Sequence, residues 1–308
     1  MDMFADPPGV ASEVADTFRS GLGGSSANIA AGLSKLGSRA ALATSVSDDA
    51  VGRFCTNQLN GYGVDTRYVR AVGGEYRTSL AVYESKIEDF QNVIYRNLAA
   101  DFQVTVDDMD AIDMTPYGAV VVTGTVFAAE PSRSATFHAM ARARAAQRPI
   151  ILDIDYRPYS WPSAAVASEV LSRAGAESDM IVGNDEEFGF MAGALEKGLE
   201  KARELSATTA AAAIYKMGEK GAITLADGDE IATGIYPVTA LKPNGAGDAF
   251  MAGLLSGLAG GVPLREAVLR GSACAAIVVS KPGCAGAMPR EADLSRFLAD
   301  HPGPTTPH

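Results

Sequence analysis

The sequence predicts a doubly wound α/β fold, a mainly parallel sheet flanked by helices, and three observations carry that expectation. After residue 111, short and nearly continuous apolar runs recur: "AVVVTG", "PIILDID", "DMIVGND" and "AAAIYKMG". Runs of this kind suit strands buried on both faces. Between them lie longer segments rich in alanine and charge, such as "SATFHAMARARAAQ" and "EEFGFMAGALEKGLEKARELS", which read as helices. The chain has 308 residues, 47% hydrophobic and 20% charged, an ordinary globular composition with length enough for a large core.

The elements follow in order. From Asn28, the apolar positions Ile29, Leu33 and Leu36 keep helical spacing, and Gly37 supplies a stop. "AALATSV" at 40–46 reads as a buried strand, and "DDAVGRFCTNQLNGYG" as a helix ended by glycines. Between 66 and 98 the character changes. "TSLAVYES" and "NVIYRNLA" alternate in polarity across a polar turn, the pattern of a half-exposed hairpin or small sheet. The later apolar runs end at Thr123–Gly124, at Asp153 and Asp155, at Asn184 and at Lys216. Ligands in open α/β sheets bind beyond the carboxyl ends of the strands. Thr123, Asp155, Arg157, Asn184, Glu187 and Lys216 are therefore expected to face one crevice, with chemistry suited to a phosphate-bearing ligand and a metal. "NGAGDAFMAGLL" opens a last apolar helix anchored by Phe250, Leu254 and Leu258. No fixed-period repeat or low-complexity linker divides the chain, so residues 1–308 are expected to form one domain. The tail "HPGPTTPH" is expected to fray.

Composition excludes several classes. A net charge of -11 argues against nucleic acid, which needs a dense basic surface. Cys55, Cys274 and Cys284 are scattered singly, which suits a reducing cytoplasm. "MDMFADPPGV" lacks the pattern of a signal peptide, and no apolar stretch is long enough for a membrane span. Familiar nucleotide motifs also fail. There is no G-x-x-x-x-G-K-[ST]; "GLGGSSA" puts Ser26 at the third glycine of a dinucleotide fingerprint; H-R-D and D-F-G are missing. His138, His301 and His308 give no basis for a zinc site or a Ser-His-Asp triad.

What remains is "GGSSAN" (23–28), "LDIDYRPYSW" (152–161), "NDEE" (184–187), "KMGEKG" (216–221) and "NGAGDAF" (244–250). In the last, Gly245 and Gly247 permit backbone shapes and approaches that side chains forbid, and N–H groups at a helix start can hold an anion. Asp248 is either a plain helix cap or a base beside that anion site. The glycine pair favours the second.

Together these segments resemble the PfkB, or ribokinase-like, carbohydrate kinases, with "GGSSANIAAGLSKLG" similar to the N-terminal signature and "NGAGDAFMAGLL" to the C-terminal one. The resemblance implies a ribokinase-like α/β domain with a small β-sheet lid from segments near 3–22 and 66–98, often used to form homodimers. It implies phosphoryl transfer from ATP to a hydroxyl of a sugar or sugar acid. Asp248 accepts the hydroxyl proton, and Gly245, Ala246 and Gly247 form the anion hole; a weak base is adequate where the transition state is loose. Arg157 would clamp phosphate or the substrate acid, or else form a surface salt bridge.

By the same resemblance, Asn184 and Glu187 organise Mg²⁺ through water; a helix cap with an acidic first turn explains them equally well. Lys216, Gly218, Gly221 and Ser272 fall on the nucleotide side, although a hairpin turn also accounts for the two glycines. Asp2, Gly23, Gly24 and Asn28 match sugar-hydroxyl contacts, and Asn28 can also simply cap the helix it opens. "DIDYRP", "YRNLAAD" and the Lys242-Pro243 pair resemble acid-sugar members, with Asp155, Tyr95 and Arg96 meeting the substrate. The expected acceptor is 5-dehydro-2-deoxygluconate, with 2-dehydro-3-deoxygluconate and fructose as alternatives. A non-catalytic sugar or nucleotide sensor is the reading from a different class. Three departures accompany the resemblance. The family's opening strand would lie partly upstream of Met1, Ser272 replaces a common asparagine, and Lys242-Pro243 leaves use of a monovalent cation open.

Overall fold

A computed structural model describes residues 1–86, 88–89, 91–301 and 303–305. In chain order the strands and helices begin with β1 (Asp2–Asp6), β2 (Thr17–Gly21), α1 (Ser25–Lys35), β3 (Thr44–Ser47), α2 (Ala50–Gly61), β4 (Val69–Val72), β5 (Leu80–Tyr83) and β6 (Asn92–Tyr95). Next come α3 (Val106–Asp110), β7 (Val120–Thr123), α4 (Ser132–Ala145), β8 (Ile150–Asp153), α5 (Ala164–Ala176), β9 (Met180–Asn184), α6 (Asp185–Ala192) and α7 (Gly198–Thr208). The chain continues through β10 (Ala212–Lys216), β11 (Ala222–Ala226), β12 (Asp229–Thr233), α8 (Ala246–Ala259), α9 (Leu264–Val279) and α10 (Glu291–Asp300). Contacts group these elements into two compact units, one of Met1–Asp101 with Ile235–Thr305, the other of Phe102–Gly234.

In the first unit, a four-stranded sheet runs in the order β2-β1-β5-β6. β1 pairs with β2 antiparallel and with β5 parallel, and β5 pairs with β6 antiparallel from Leu80↔Tyr95 to Tyr83↔Asn92. The alternating segments thus form the hairpin their polarity predicts. Residues 69–72 do not join them: β4 pairs in parallel with β3 as a separate two-stranded sheet. α8 and α9 bury Ala249, Ala252, Ala273, Cys274, Ile277 and Val278 in one apolar cluster. α1 packs on α8 through small residues, and a Cβ on Gly32 would lie 2.6 Å from the Ala252 Cβ. The expected fraying of the tail falls partly outside the described residues, at 302 and 306–308. Thr305 itself is tied to Ile235 by backbone N–H to carbonyl at 2.7 Å.

The second unit contains a six-stranded sheet ordered β12-β11-β10-β9-β8-β7. β7, β8, β9 and β10 run parallel, while β11 and β12 extend the sheet antiparallel. The four apolar runs of the sequence are these four parallel strands. Ile150, Leu152, Ile181, Val182, Ala213 and Ile214 are buried, as strands covered on both faces require. The long segment expected as one helix over 186–206 is broken. Gly193 adopts φ 76° and caps α6, and a short 3₁₀ turn at Leu195–Lys197 leads into α7. The break allows close packing, since a Cβ on Gly189 would meet the Leu195 Cα at 2.6 Å.

Candidate active site

In the first unit the site is built where α1 meets α8. α1 starts at Ser25 rather than at Asn28, with Gly24 as its N-cap at φ 96°. Asn28 therefore lies in the first turn and does not cap the helix. It is buried, and its Nδ2 donates to Asp248 Oδ2 at 2.8 Å. Ser25 Oγ donates to Asp248 Oδ1 at 3.2 Å. Both carboxylate oxygens of Asp248 are thus held by side chains of α1.

Asp248 is the third residue of α8, whose N-cap is Gly245 at φ 82°, and no side chain caps this helix. The N-cap residue itself supplies no side-chain cap, and the Asp248 carboxylate joins α8 to α1. Gly245 is favoured by its backbone and by tight surroundings. Its φ favours glycine, and a Cβ there would lie 3.3 Å from the Cys284 side chain and from Val278. Ala246 and Gly247 follow in the first turn, where backbone N–H groups lack intrahelical partners.

Asp2, on β1, is 3% exposed. Burial raises its carboxyl to about 7; the Met1 ammonium pulls it down, Asp248 pushes it up, and Cys284 and Lys242 pull it down. The Asp2 carboxyl fills the space where Gly23 lacks a side chain, because a Cβ on Gly23 would sit 1.7 Å from Asp2 Oδ1. A Gly23→Ala variant is expected to displace the Asp2 carboxyl and lower stability; a urea midpoint equal to wild type would contradict that placement.

The raised Asp2 value also sets a direction for stability. Between pH 3.8 and about 7 the unfolded chain ionises this group while the folded chain holds its proton. Folding stability from Asp2 is full below that window and lost as pH rises through it, by roughly 4 kcal/mol. Urea titrations of wild type and Asp2→Asn at pH 5 and pH 8 should show the larger loss in wild type; parallel losses would refute the assignment.

Tyr95 and Arg96 also belong to the first unit. Tyr95 is 61% exposed on β6, and Arg96 forms an ion pair with Asp101 at 2.6 Å. Ser272 lies partly exposed within α9.

In the second unit, the carboxyl ends of the parallel strands align. Thr123 pairs with Asp153, Asp153 with Val182, and Asn184 with Lys216. The polar residues that end the apolar runs of the sequence thus share one sheet edge. Beyond β8 the backbone turns sharply, with Asp155 in the left-handed region at φ 36°. Asp155 is buried and pairs with Arg157 at 2.7 Å, while the arginine side chain stays 46% exposed. The salt-bridge reading of Arg157 is realised, and its exposure leaves the guanidinium accessible to a ligand.

Glu187 organises this edge. Its Oε2 accepts the Asn184 N–H at 2.8 Å, and Asn184 Oδ1 accepts the Glu187 N–H at 2.8 Å, a reciprocal capping box at the start of α6. Glu187 Oε1 accepts the Tyr156 N–H at 3.2 Å, joining the segment after β8 to the start of α6. The Tyr156 ring stacks on Phe190 with centroids 3.6 Å apart. Burial pushes the Glu187 carboxyl up, opposed by the charge of Lys216 and the Asn184 N–H. Among the described residues, no group of three or more His, Cys, Asp or Glu side chains is placed to hold a metal ion.

After β10, Gly218 (φ 57°) and Gly221 (φ 91°) shape the turn to β11, and Met217 N–H bonds the Gly221 carbonyl at 2.8 Å. The hairpin-turn reading therefore holds. Gly221 is required by its φ and by the Thr233 carbonyl, which a Cβ would meet at 2.0 Å.

Sequence reasoning missed Ser25, Cys284 and the backbone of Tyr156, and gave Lys242 only as a mark of the acid-sugar branch. Ser25 lies inside a motif that was singled out, so its position was a usable signal. Nothing in the sequence marks Cys284 as the neighbour of Asp2. All three cysteines are free and buried. No helix among the described residues is long and apolar enough to cross a membrane.

Comparison with known proteins gives the family and the fold. The pfkB family carbohydrate kinase model matches residues 1–291. A 5-dehydro-2-deoxygluconokinase of Photobacterium profundum is 38% identical over 287 residues, covering 91% of this chain and 86% of its own length. One of Geobacillus kaustophilus is 34% identical over 290 residues, covering 92% and 87%. Among solved structures, a Vibrio cholerae fructokinase with fructose, ADP and calcium bound superimposes with a TM-score of 0.82 at 24% identity, covering 96% and 95% of the two chains. A Xylella fastidiosa fructokinase with bound ATP gives a TM-score of 0.85 at 20% identity, covering 97% and 95%. These structural likenesses establish the ribokinase-like fold. Matched over nearly all its length by one family and sharing more than a third of its residues with a curated member, this chain belongs to the pfkB family of carbohydrate kinases.

Proposed function

We propose that the protein transfers the γ-phosphoryl group of ATP to a hydroxyl of a gluconate-like sugar acid, 5-dehydro-2-deoxygluconate, giving its 6-phosphate. The carrying observation is the Asp248 carboxylate held on both oxygens from α1 at the start of a helix that no side chain caps. The names of the relatives support the acceptor.

Asp248 accepts the hydroxyl proton as the oxygen attacks phosphorus. The first-turn N–H groups of α8 at Gly247 and Asp248 face charge that develops on the transferring group, while the Ala246 N–H makes a long bond to the Pro243 carbonyl at 3.4 Å. Gly245 sets the direction of that turn. Asn28 Oδ1 is buried without a hydrogen-bond partner in the protein, and an acceptor hydroxyl is the donor it suits. Asp2, Gly23 and Gly24 shape the same acceptor side. Asp155, Tyr95 and Arg96 are read as acceptor contacts, and the guanidinium of Arg157 as the clamp for an acid or a phosphate.

Lys216, Gly218, Gly221 and Ser272 are read as nucleotide contacts. For Mg²⁺ the donor set fits a hydrated ion held mainly by phosphates, because both Glu187 oxygens already accept backbone N–H groups. Asn184 and Glu187 then orient its waters rather than replace them. The ion supplies charge neutralisation between the phosphates. A Vibrio cholerae fructokinase double mutant of the same fold is solved with fructose, ADP and potassium, and titration with potassium tests a monovalent requirement here.

Exposed Val93 and Tyr95 on β6 support a homodimer formed through the small sheet; sedimentation at the mass of one chain would contradict it. An acidic chain with buried free thiols is compatible with the cytoplasm and with no nucleic-acid partner.

A coupled ADP-release assay tests the function. The rate is expected to be highest with 5-dehydro-2-deoxygluconate, against 2-dehydro-3-deoxygluconate, fructose and ribose. A preference for fructose or ribose would overturn the acid-sugar assignment, and binding without ADP release would make the chain a sensor.

A further inference from the structure

One charged side chain near the start of α8 has no role in the account above. Lys242 is 1% exposed, among the largest fully buried side chains of the chain. Burying an ammonium is costly unless hydrogen bonds and opposite charge return the loss. Both returns are present. Lys242 Nζ donates to the backbone carbonyl of Asn244, the residue immediately before Gly245. The start of this segment is fixed as well, since the Leu241 and Lys242 N–H groups both reach the Val279 carbonyl, at 2.7 and 3.2 Å.

Asn244 precedes the residue whose φ of 82° aims the first turn of α8. A tether on its carbonyl sets the peptide plane from which that turn departs. The groups that act on the ammonium come from three places: Cys284 after α9, Asp248 on α8 and Asp2 on β1. Asp248 and, once ionised, Asp2 thus both favour the charged form of this ammonium. Burial pushes the ammonium below the ordinary lysine range, and these three groups oppose that shift only in part.

We propose that Lys242 is the positioning residue of the transfer turn, fixing the Asn244–Gly245 peptide from which α8 departs. The inference rests on the reading of Asp248 as proton acceptor and extends it to a residue that does not touch the reacting atoms.

The test compares Lys242→Met, Lys242→Ala and Lys242→Arg with wild type. In Lys242→Met, kcat should fall about 100-fold, the cost of a small misplacement of reacting groups, with the KM for ATP held. In Lys242→Ala, added ethylammonium should restore part of kcat and ethanol should not, a response that lost packing alone would not give. A folded Lys242→Met with the wild-type kcat, or an alanine variant indifferent to the amine, overturns the proposal.

If neither neutral variant folds, the alkaline limb of wild-type kcat decides. It should fall below the ordinary lysine pKa of about 10.4 and move upward in Lys242→Arg. The Cys284 thiol is pushed well above its usual range by burial, so it does not compete for that window. A limb unmoved in Lys242→Arg overturns the proposal. Failure of the wild type to release ADP with any acceptor sinks the underlying function instead, so the two failures are distinguishable.

Discussion

Asp248→Asn is expected to lower kcat by about 10²–10⁴-fold, the range for loss of a general base, with little change in thermal stability. The substitution preserves shape and local bonding. An asparagine oxygen can still accept from Asn28 Nδ2, and its amide can donate to Ser25 Oγ, because a hydroxyl serves in either sense. What it removes is the ability to take a proton. Steady-state kinetics with the acceptor that wild type turns over, alongside a melting curve, check the prediction. An unchanged kcat would mean that Asp248 only joins α1 to α8.

Glu187→Ala should produce the second large effect, on stability first and activity second. The residue closes the cap of α6 and holds the Tyr156 N–H, so its loss leaves two backbone donors without their acceptor. At roughly 1–3 kcal/mol for each unsatisfied donor, a loss of about 2–6 kcal/mol is expected. With Asn184 and Glu187 proposed to orient the waters of Mg²⁺, the KM for ATP should rise as well. A urea midpoint within error of wild type would show that the clamp contributes nothing. A stable variant that lost only Mg²⁺ dependence would favour a direct role at the ion.

The sequence was most legible where one force dominates. The four parallel strands announced themselves because burial on both faces leaves no room for polar alternation, and the hairpin of β5 and β6 did so because one side meets water. The polar residues that end the runs, from Asp153 to Asn184 and Lys216, were legible for the same reason: a sheet edge is where apolar runs must stop. "NGAGDAF" marked the start of α8 through a glycine that geometry demands.

Other features depend on tertiary contacts that no local pattern encodes. Asn28 looked like a cap, yet α1 begins one turn earlier and turns that amide to Asp248. β4 left the hairpin region for β3, a pairing decided by a partner more than twenty residues away. Gly193 sits in a run with helical composition, and its left-handed backbone, not the propensity of its neighbours, ends α6. Lys242 gave no sign of burial, because a lysine before a proline reads as surface loop. Only the carbonyl and carboxylates around it explain why the chain keeps it inside.

The central claim is that the chain moves a phosphoryl group from ATP to a primary hydroxyl of 5-dehydro-2-deoxygluconate. The most direct measurement is ³¹P NMR of the chain with ATP, Mg²⁺ and that acid, followed to completion. The account predicts ADP and one phosphate-monoester signal in equal amounts, with coupling to two methylene protons. Release of inorganic phosphate without the monoester, or a monoester signal lacking that coupling, would contradict it.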